Sequence, residues 1–507
     1  MPFYMKLQKS MNKLESVYDL AAFCYDYLID KIDNQPVFFG RYIMTTPEND
    51  RVNPNLEDLG DFSRVIGQKL YDREKQGWDF QDCLKNVVSC SSEMQKKLKP
   101  FGDNNWNQAT IPFFILLAID RYVLEKDGKC TDPAPLNKYY CEKSHVYLNI
   151  GNNMLDKAVE KNKFSDCIEI KSIRNELRHL IILERQEIPR NVNVPKMVPL
   201  YVREEDKIRK RIRNGHKLRV AVIPFGEDCM LEFCRDEGVL FHVEYTQEYR
   251  EKGKARALML LDRALQEKAN IIIFPEFVCS MEVQEAIRQR LVHWGKQDVR
   301  MTENLLLVIA GSGWIEDNNI ASLYSYSGSL LGHNYKYSHY FGEKEGELWL
   351  ENLKNPGKDV TIIDIDGVGK VMVGICRDVC DRTYIRTLAE IFAPQFLLVP
   401  AWSESVRKAF EQQFQEIVEK NHRTCSILCN CCQAIYNKAG FRVDNGLIVT
   451  PFKDGSLIIG KVDQIMREMD CQSCCSENGC IILVDLDFDP KIVKAGEIVE
   501  KITLEHA

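Results

Sequence analysis

A cysteine, a glutamate and a lysine each lie where a predicted β-strand ends. Cys376 follows the apolar run 371–375, Glu276 follows the run 271–275, and Lys336 lies just beyond a third strand end. Side chains in such positions, at the edge of a sheet, are open to a substrate. A thiol, a carboxylate and an amine in this arrangement predict covalent acyl chemistry.

Each of these residue types has a task in that chemistry. A free thiol has a pKa of about 8.5, so only a few per cent is thiolate at neutral pH. Glu276 can take the thiol proton while Cys376 attacks a carbonyl or nitrile carbon. The Lys336 ammonium and the backbone N–H of Arg377 are placed to receive the negative charge that develops on the substrate. Glu276 can then protonate the leaving amine and activate the water that releases the acid.

The composition is typical of a soluble globular protein with more than one domain. A chain of 507 residues predicts two or three domains, and the 45% hydrophobic and 28% charged residues are ordinary proportions. A net charge of -7 gives no overall attraction to nucleic acid or an anionic membrane. The longest apolar run, 111–119, is shorter than the roughly 18 residues that cross a bilayer, and no secretory signal is visible. We therefore expect a cytoplasmic protein.

The 19 cysteines predict reduced thiols, because an odd count in a large chain without a signal argues against a disulfide framework. Cys429, Cys431 and Cys432 lie in an apolar run typical of a core strand, where cysteine packs as a small hydrophobe. The spacing of Cys471 and Cys474 resembles half of a zinc site, but a partner pair at the usual distance is missing. Accordingly, we expect neither a metal nor a cofactor.

The chain divides into four predicted segments: a helical domain at 1–187, a linker with a basic helix at 188–216, an α/β domain at 217–490 and a tail at 491–507. The basic run favours a solvated helix face, with contact to nucleic acid or a partner as the alternative. Helical periodicity recurs in the stretches 17–29, 61–76, 80–98, 107–125, 144–162 and 169–186.

Beyond residue 217, apolar runs alternate with amphipathic stretches, which predicts a mixed sheet covered by helices. A helix is predicted at 254–268, and turn signals at 366–367 and 453–455 suggest hairpins. The predicted strands are 218–224, 269–275, 305–311 and 396–400.

Residues about 217–490 resemble the carbon–nitrogen hydrolase, or nitrilase-like, family, through a set of short blocks in the family's order. Any single block is weak, whereas the ordered set is specific. The blocks are 271–276 (IIIFPE), 328–332 (GSLLG) with Lys336 four residues later, 369–378 (GKVMVGICRD), 397–402 (LLVPAW) and 445–449 (NGLIV).

This resemblance implies an αββα sandwich, here preceded by an all-α domain, which members of the family double by forming dimers. It implies that Cys376 is the nucleophile, Glu276 the general base and Lys336 the cation that stabilises the tetrahedral intermediate. A homodimer or a higher homo-oligomer is expected.

The sequence departs from the family at the residues around this triad. Arg377 stands where an aromatic residue is usual, and Tyr335 replaces the usual arginine before the lysine. An alternative register, anchored on His339, puts Tyr337 at the lysine position; we prefer Lys336, whose spacing from Gly332 needs no gap.

The family's second glutamate, which orients the lysine or the base, has three candidates: Glu343, Glu345 and Glu347. We favour Glu345. Cys380, four residues after Cys376, is either a neighbouring thiol or a packing residue.

One motif stands out in the amino-terminal region. Arg174 and His179, in the pattern Arg-Asn-x-x-x-His, resemble the active-site motif of HEPN-type ribonucleases, with the arginine binding phosphate and the histidine serving as acid and base. The alternative, which we prefer, is a helical module for oligomerisation or for a protein partner.

The leading hypothesis is a hydrolase of non-peptide C–N bonds, with a small amide favoured over a nitrile as substrate. One rival is an assembly scaffold with little or no turnover, and the other is a helical ribonuclease coupled to the nitrilase-like half. Because nitrilase-like domains occur beside other modules in bacterial defence systems, an antiviral defence setting is conceivable by analogy.

Overall fold

The computed structural model divides the chain into two compact units, Met1–Asn152 with Phe164–Glu187, and Asn153–Lys163 with Ile188–Ala507. The structure describes residues 2–32, 56–76, 79–98, 105–120, 137–139, 146–150, 180–184, 192–193, 195–200, 218–224, 226, 231–236, 238–344, 346–365, 368–392, 394–403, 406–421, 424–431, 446–451, 457–459, 480–486 and 499–506.

The first unit is built mainly from helices, as predicted, with one apolar core. Phe3, Leu20, Leu84 and Ile115 are fully buried members of that core. The helices are α1 (Phe3–Ser10), α2 (Val17–Ile32), α3 (Leu56–Gln76), α4 (Phe80–Leu98) and α5 (Asn105–Ala118).

A small antiparallel sheet accompanies these helices, so an all-α description is incomplete. Its strands are β1 (Asn137–Tyr139), β2 (Val146–Ile150) and β3 (Leu180–Glu184), in the order β1-β2-β3. The helical predictions for 144–162 and 169–186 are therefore wrong at β2 and β3. Both are five-residue strands, and periodicity does not separate such short apolar runs from helix segments.

The second unit contains two seven-stranded mixed sheets. The first sheet has the order β11-β10-β9-β8-β5-β20-β21, with parallel pairing at β5-β8-β9 and antiparallel pairing elsewhere. Its strands are β5 (Leu218–Val222), β8 (Ile271–Ile273), β9 (Leu307–Ile315), β10 (Asn318–Ser325), β11 (Leu330–Tyr335), β20 (Cys480–Leu486) and β21 (Val499–His506).

The second sheet has the order β19-β18-β17-β16-β15-β14-β4, with β15, β16 and β17 parallel to one another and β4 parallel to β14. Its strands are β4 (Lys196–Leu200), β14 (Thr361–Ile365), β15 (Gly369–Val373), β16 (Phe396–Ala401), β17 (Cys425–Asn430), β18 (Gly446–Pro451) and β19 (Leu457–Ile459).

Alternate residues of the central strands face opposite layers, because successive side chains of a strand point to opposite faces. In the first sheet, Val220 and Ile273 join a core shared with Val371 and Leu398 of the second sheet. Ala221 and other residues of opposite parity join a separate core with α6 (Lys254–Gln266) and α7 (Met281–Gln297).

Further helices, α8 (Val299–Thr302), α9 (Ile385–Phe392) and α10 (Val406–Asn421), complete the described α-helices of the unit, and α10 packs against β17, β18 and β19. The result is the predicted αββα sandwich.

A four-stranded sheet, here called the small sheet, is also part of this unit. Its order is β12-β13-β7-β6, with β13 and β7 parallel. The strands are β6 (Leu231–Arg235), β7 (Leu240–Tyr245), β12 (Phe341–Lys344) and β13 (Glu347–Glu351).

The predicted strands of the α/β domain are confirmed in β5, β8, β9 and β16, and the predicted hairpins in the antiparallel pairs β14–β15 and β18–β19. Two flanking segments contain strands that were not predicted. Residues 196–200 of the expected linker form β4, and 499–506 of the expected tail form β21, an edge strand paired with β20. The basic run at 207–217 lies outside the described residues.

Within the described part of the chain, no helix is both long enough and apolar enough to cross a membrane.

Gly311 in β9 allows the close approach of the loop that carries Glu276. Its φ is +64°, and a Cβ there meets Pro275 O at 2.3 Å and Cys279 Sγ at 2.8 Å. We expect Gly311→Ala to lower the melting temperature of the protein, because a left-handed conformation alone costs an L-residue about 1–2 kcal/mol and the clash adds to it. Circular dichroism melting measures the effect.

Gly295→Ala is the matched control. Gly295 lies inside α7 with open space around the Cβ position, so alanine is expected to raise stability by up to about 1 kcal/mol. Equal melting temperatures for the two variants contradict the conclusion that the close approach at Gly311 requires glycine.

Candidate active site

The Glu276 carboxylate lies at the centre of a buried polar cluster. It lies three residues beyond the end of β8 and is 1% exposed. Its Oε1 accepts from Lys336 Nζ at 2.8 Å and from Asn319 Nδ2 at 2.9 Å, and its Oε2 accepts from the backbone N–H of Trp402 at 2.9 Å. Three donors from three different strands or loops therefore hold both oxygens in place.

Lys336 is held between two carboxylates. It follows β11, is 2% exposed, and donates from Nζ to Glu276 Oε1 and, at 2.6 Å, to Glu351 Oε2. A lysine ammonium has three donors. The two carboxylates account for two of them, and the third is available to a substrate atom.

Glu351, at the end of β13, is the second carboxylate of the cluster and is 0% exposed. Besides Lys336, it accepts from Asn319 Nδ2 at 3.1 Å and from the backbone N–H of Tyr340 at 2.9 Å. Asn319 donates to both Glu276 and Glu351 and thereby fixes the two carboxylates relative to each other.

Cys376 lies three residues beyond the end of β15 and opens the short 3₁₀ helix Cys376–Cys380. Its φ is +47°, a left-handed conformation that is strained for a non-glycine residue. Cys376 is 6% exposed, its thiol donates to Trp402 O at 3.8 Å, and the neighbouring Glu276 carboxylate raises the pKa of the thiol. This turn points the sulfur at the carboxylate.

Asp378 ties the cysteine turn to the lysine segment. Its Oδ2 accepts from the backbone N–H of Ile375 at 3.0 Å, and its Oδ1 accepts from the N–H groups of Tyr337 and Ser338 at 2.9 and 2.8 Å. Burial raises the pKa of Asp378 to about 7, while these N–H donors and Lys336 act in the opposite direction. The side chain thus acts as a positioning residue for Cys376 and Lys336 together.

The buried groups perturb one another's ionisation. Burial raises the pKa of Glu276, Lys336 opposes that shift and Glu351 adds to it. Burial alone lowers the pKa of Lys336, but Glu276 and Glu351 outweigh it and raise the pKa overall. Burial and then the Glu276 charge raise the pKa of Cys376 well above its usual value. The resting site therefore holds a thiol beside a base, rather than a preformed thiolate.

Aromatic rings lie beside this cluster. The Phe277 ring lies 5.3 Å from Lys336 Nζ, and Phe277 itself has a φ of +65°. The rings of Phe233 and Trp402 are 5.5 Å apart, and each also contacts Phe277. Such rings exclude water, which strengthens the electrostatic interactions beside them.

The structure brings Cys376, Glu276 and Lys336 together, each beyond a strand end. Tyr337, the alternative to the lysine, instead stacks against the Tyr384 ring at 4.4 Å. His339 hydrogen-bonds the backbone O of Glu351 through Nδ1 at 2.7 Å. In this register the amine, not the phenol, contacts Glu276.

The favoured second glutamate, Glu345, lies outside the described residues, and the carboxylate beside Lys336 is Glu351, which was not among the sequence candidates. Glu343 is exposed, and Glu347 is exposed and pairs with Arg235. The spacing signal misled because glutamates recur every second residue from 343 to 347, and only the pairing of β13 with β7 shows that Glu351 lies at the buried end of the strand.

The remaining predicted site residues have other positions. Arg377 is exposed, and its Nη1 donates to Phe341 O at 3.1 Å. Cys380 is half-buried and donates to Ala409 O at 3.7 Å. Arg174 and His179 lie outside the described residues.

The cysteine clusters are only partly described. Cys425 and Cys429 are buried in β17 and Cys431 directly after it, in keeping with the predicted core strand, whereas Cys471 and Cys474 lie outside the described residues. Asn319 and the backbone N–H of Trp402 were also missed as site groups: an isolated amide leaves no motif, and the block 397–402 does not indicate which of its groups contacts Glu276.

The structure is similar to members of the nitrilase superfamily. It is similar to Nit3 of Saccharomyces cerevisiae, a member of branch 10 of that superfamily, with 15% identity, a TM-score of 0.34, and coverage of 55% of this chain and 92% of that one. It is also similar to an amidase from Nesterenkonia sp., with 18% identity, a TM-score of 0.33, and coverage of 55% and 93%.

A third similar structure is a glutamine-dependent NAD+ synthetase from Acinetobacter baumannii, with 13% identity, a TM-score of 0.32, and coverage of 56% of this chain and 48% of that one. No protein-family model matches the sequence, and no curated protein matches it. At these identities and TM-scores, function has to be inferred from the side chains themselves.

Removal of the Glu351 charge should change the pKa of the general base, Glu276. Because Glu351 raises the pKa of Glu276, Glu351→Gln should lower it. The base works when deprotonated, so the reactivity of Cys376 is lost as pH falls through the Glu276 pKa, and in the variant this loss should move to lower pH. The rate of iodoacetamide modification of the Cys376 peptide, followed across pH by mass spectrometry, measures it.

Glu343→Gln is the control, since it removes an exposed carboxylate on the neighbouring strand β12. Its pH profile should match that of the unmodified chain. If Glu351→Gln loses Cys376 reactivity at the same pH as this control, or at a higher pH, the assignment of Glu351 as the residue that raises the pKa of Glu276 is contradicted.

Proposed function

We propose that this chain is a carbon–nitrogen hydrolase that cleaves a small amide through a thioester on Cys376. The observation that carries the proposal is the position of the Glu276 carboxylate, which hydrogen-bonds the Lys336 ammonium in a buried site and lies close enough to the Cys376 thiol to raise its pKa. A carboxylate so placed can move a proton to and from sulfur without help from solvent.

In the first step the thiol adds to the amide carbonyl. The Cys376 S–H proton passes to Glu276 as the S–C bond forms, and the carbonyl π electrons move to oxygen. The third N–H of Lys336 and the backbone N–H of Arg377 donate to that oxyanion. Arg377 lies in the first turn of a short helix, where N–H groups have no intrahelical acceptor.

Collapse of the intermediate breaks the C–N bond. Glu276 returns its proton to the leaving nitrogen, the amine departs and the thioester forms. A water molecule then gives a proton to Glu276 and attacks the thioester. The S–C bond breaks, the sulfur recovers the proton and the carboxylic acid is released. A base with a raised pKa suits these alternating acid and base roles.

An amide fits this machinery better than a nitrile. The two N–H donors suit an oxyanion, which accepts hydrogen bonds and keeps no proton. Addition to a nitrile instead produces a basic nitrogen that must itself be protonated by the same carboxyl group.

Three further hypotheses stay predictions from the sequence. They are a role of residues 1–187 as a module for self-association or for a protein partner, the HEPN-like ribonuclease alternative, and a setting in bacterial defence.

Glu276→Gln should lower amide turnover by about 10²–10⁴-fold, the usual contribution of general acid–base catalysis. The protein is incubated with a panel of small amides and nitriles and with a metabolite extract. Ammonia or amine release is measured, and adducts on the Cys376 peptide are identified by mass spectrometry. Cys376→Ser should show no thioester adduct.

Cys380→Ser is the matched thiol control, because it changes a half-buried cysteine four residues away. It should retain turnover and the adduct on Cys376. Equal modification of Cys376 and the other cysteines, with no amine release from any substrate, favours the scaffold alternative and overturns the proposal.

A further inference from the structure

The outward face of the β6–β7 hairpin carries three potential metal ligands. In this antiparallel pair Cys234 lies directly opposite His242, and Glu244 is two residues further along β7. Residues two apart on a strand share a face. Phe233 and Val243, of opposite parity, pack into the core of the unit, so the sulfur, imidazole and carboxylate project together from the other side.

The ligand atoms of this trio are already close. One ligand atom from each of Cys234, His242 and Glu244 lies within 4.8 Å of the other two, and His242 Nε2 is 3.1 Å from Glu244 Oε1. Bonds of about 2.0–2.3 Å in a tetrahedral zinc site place ligand atoms roughly 3.3–3.8 Å apart. Small side-chain rotations therefore suffice to close the trio around an ion.

A hydrogen bond to the other ring nitrogen orients His242, as is usual for metal-binding histidines. Its Nδ1 lies 2.7 Å from Asp236 Oδ1, and Asp236 Oδ2 accepts from Asn352 Nδ2 at 2.8 Å. A carboxylate on one ring nitrogen fixes the tautomer and turns the other nitrogen toward a metal. Two hydrogen bonds thus direct Nε2 at the shared space between the Cys234 sulfur and the Glu244 carboxylate.

We propose that Cys234, His242 and Glu244 form a binding site for a divalent transition metal, with zinc the best match. A thiolate with an imidazole selects zinc, cobalt or a similar ion, because calcium and magnesium prefer oxygen ligands. Three protein ligands leave a fourth position for water or an external ligand. Zinc binding displaces the proton of the Cys234 thiol, the neutral His242 ring ligates through its unprotonated Nε2, and no oxidation state changes.

A metal at this position links the two strands that carry the wall of the candidate active site. Phe233, next to Cys234, contacts the rings of Trp402 and Phe277. Asn352, which holds Asp236, directly follows Glu351. An ion here therefore stabilises the small sheet beside the buried charges, and the site stands whether or not the proposed hydrolase activity is correct.

The test is cobalt binding by the full chain, kept reduced and freed of metal with a chelator. Thiolate ligation of cobalt gives a charge-transfer absorption in the near ultraviolet. Other cysteines contribute a background, so the informative quantity is the difference between variants. Cys234→Ser and His242→Gln should each lose one equivalent of cobalt and the matching absorption, and should also lose the rise in melting temperature that added zinc produces.

Cys90→Ser and His293→Gln are matched controls, since each changes a half-buried residue of the same type far along the chain. Both should bind as the unmodified chain does. Asp236→Asn removes no ligand and should weaken cobalt binding by about 10–100-fold, the usual effect of losing the partner of a ligating histidine.

If the melting temperature of metal-free Cys234→Ser differs from that of the unmodified chain, Glu244→Gln and Asp236→Asn replace it in the cobalt-binding test. Equal cobalt stoichiometry, affinity and absorption in the unmodified chain and in all variants of the trio overturns the proposal.

Discussion

Three ionisable side chains, Glu276, Lys336 and Glu351, are removed from water at one point of the αββα unit, and their burial constrains the surrounding structure. Moving a single ion into a protein interior costs several kcal/mol even after relaxation. The ammonium is compensated by two carboxylates. The carboxylates need further donors, which come from the Asn319 amide and from backbone N–H groups of two loops.

These donors explain why loops far apart in sequence have fixed conformations. The loop after β16 supplies the Trp402 N–H to Glu276, and the segment after β11 supplies the Tyr340 N–H to Glu351. The left-handed conformations of Phe277 and Cys376 occur directly beside these contacts. Backbone strain of this kind persists only where the surroundings over-determine the conformation, and here the buried charges provide that constraint.

The sequence predicted the long, strongly apolar strands and the three residues at their ends, because these signals are local. The runs that became β8 and β16 have no competing periodicity, and each ends in a proline-containing segment. The position of Glu351 beside Lys336 could not be predicted from a local signal. It depends on the parallel register that places Glu351 opposite Phe241 of β7. For β21, the alternation of Ile502 and Leu504 with polar residues was a usable strand signal that the expectation of a tail overlooked.

The order of strands in the first sheet has a consequence for biosynthesis. Strand β5 lies between β8 and β20, and the ion pair that joins β5 to β20, Arg219 with Asp485, spans 266 residues. At about 5–20 residues per second, a ribosome needs on the order of tens of seconds to make that stretch. Throughout this interval the nascent chain presents one edge of a nearly all-apolar strand without its native neighbour. An unpaired edge of that kind is a template for intermolecular association, so this topology leaves β5 open to such association until β20 has been made.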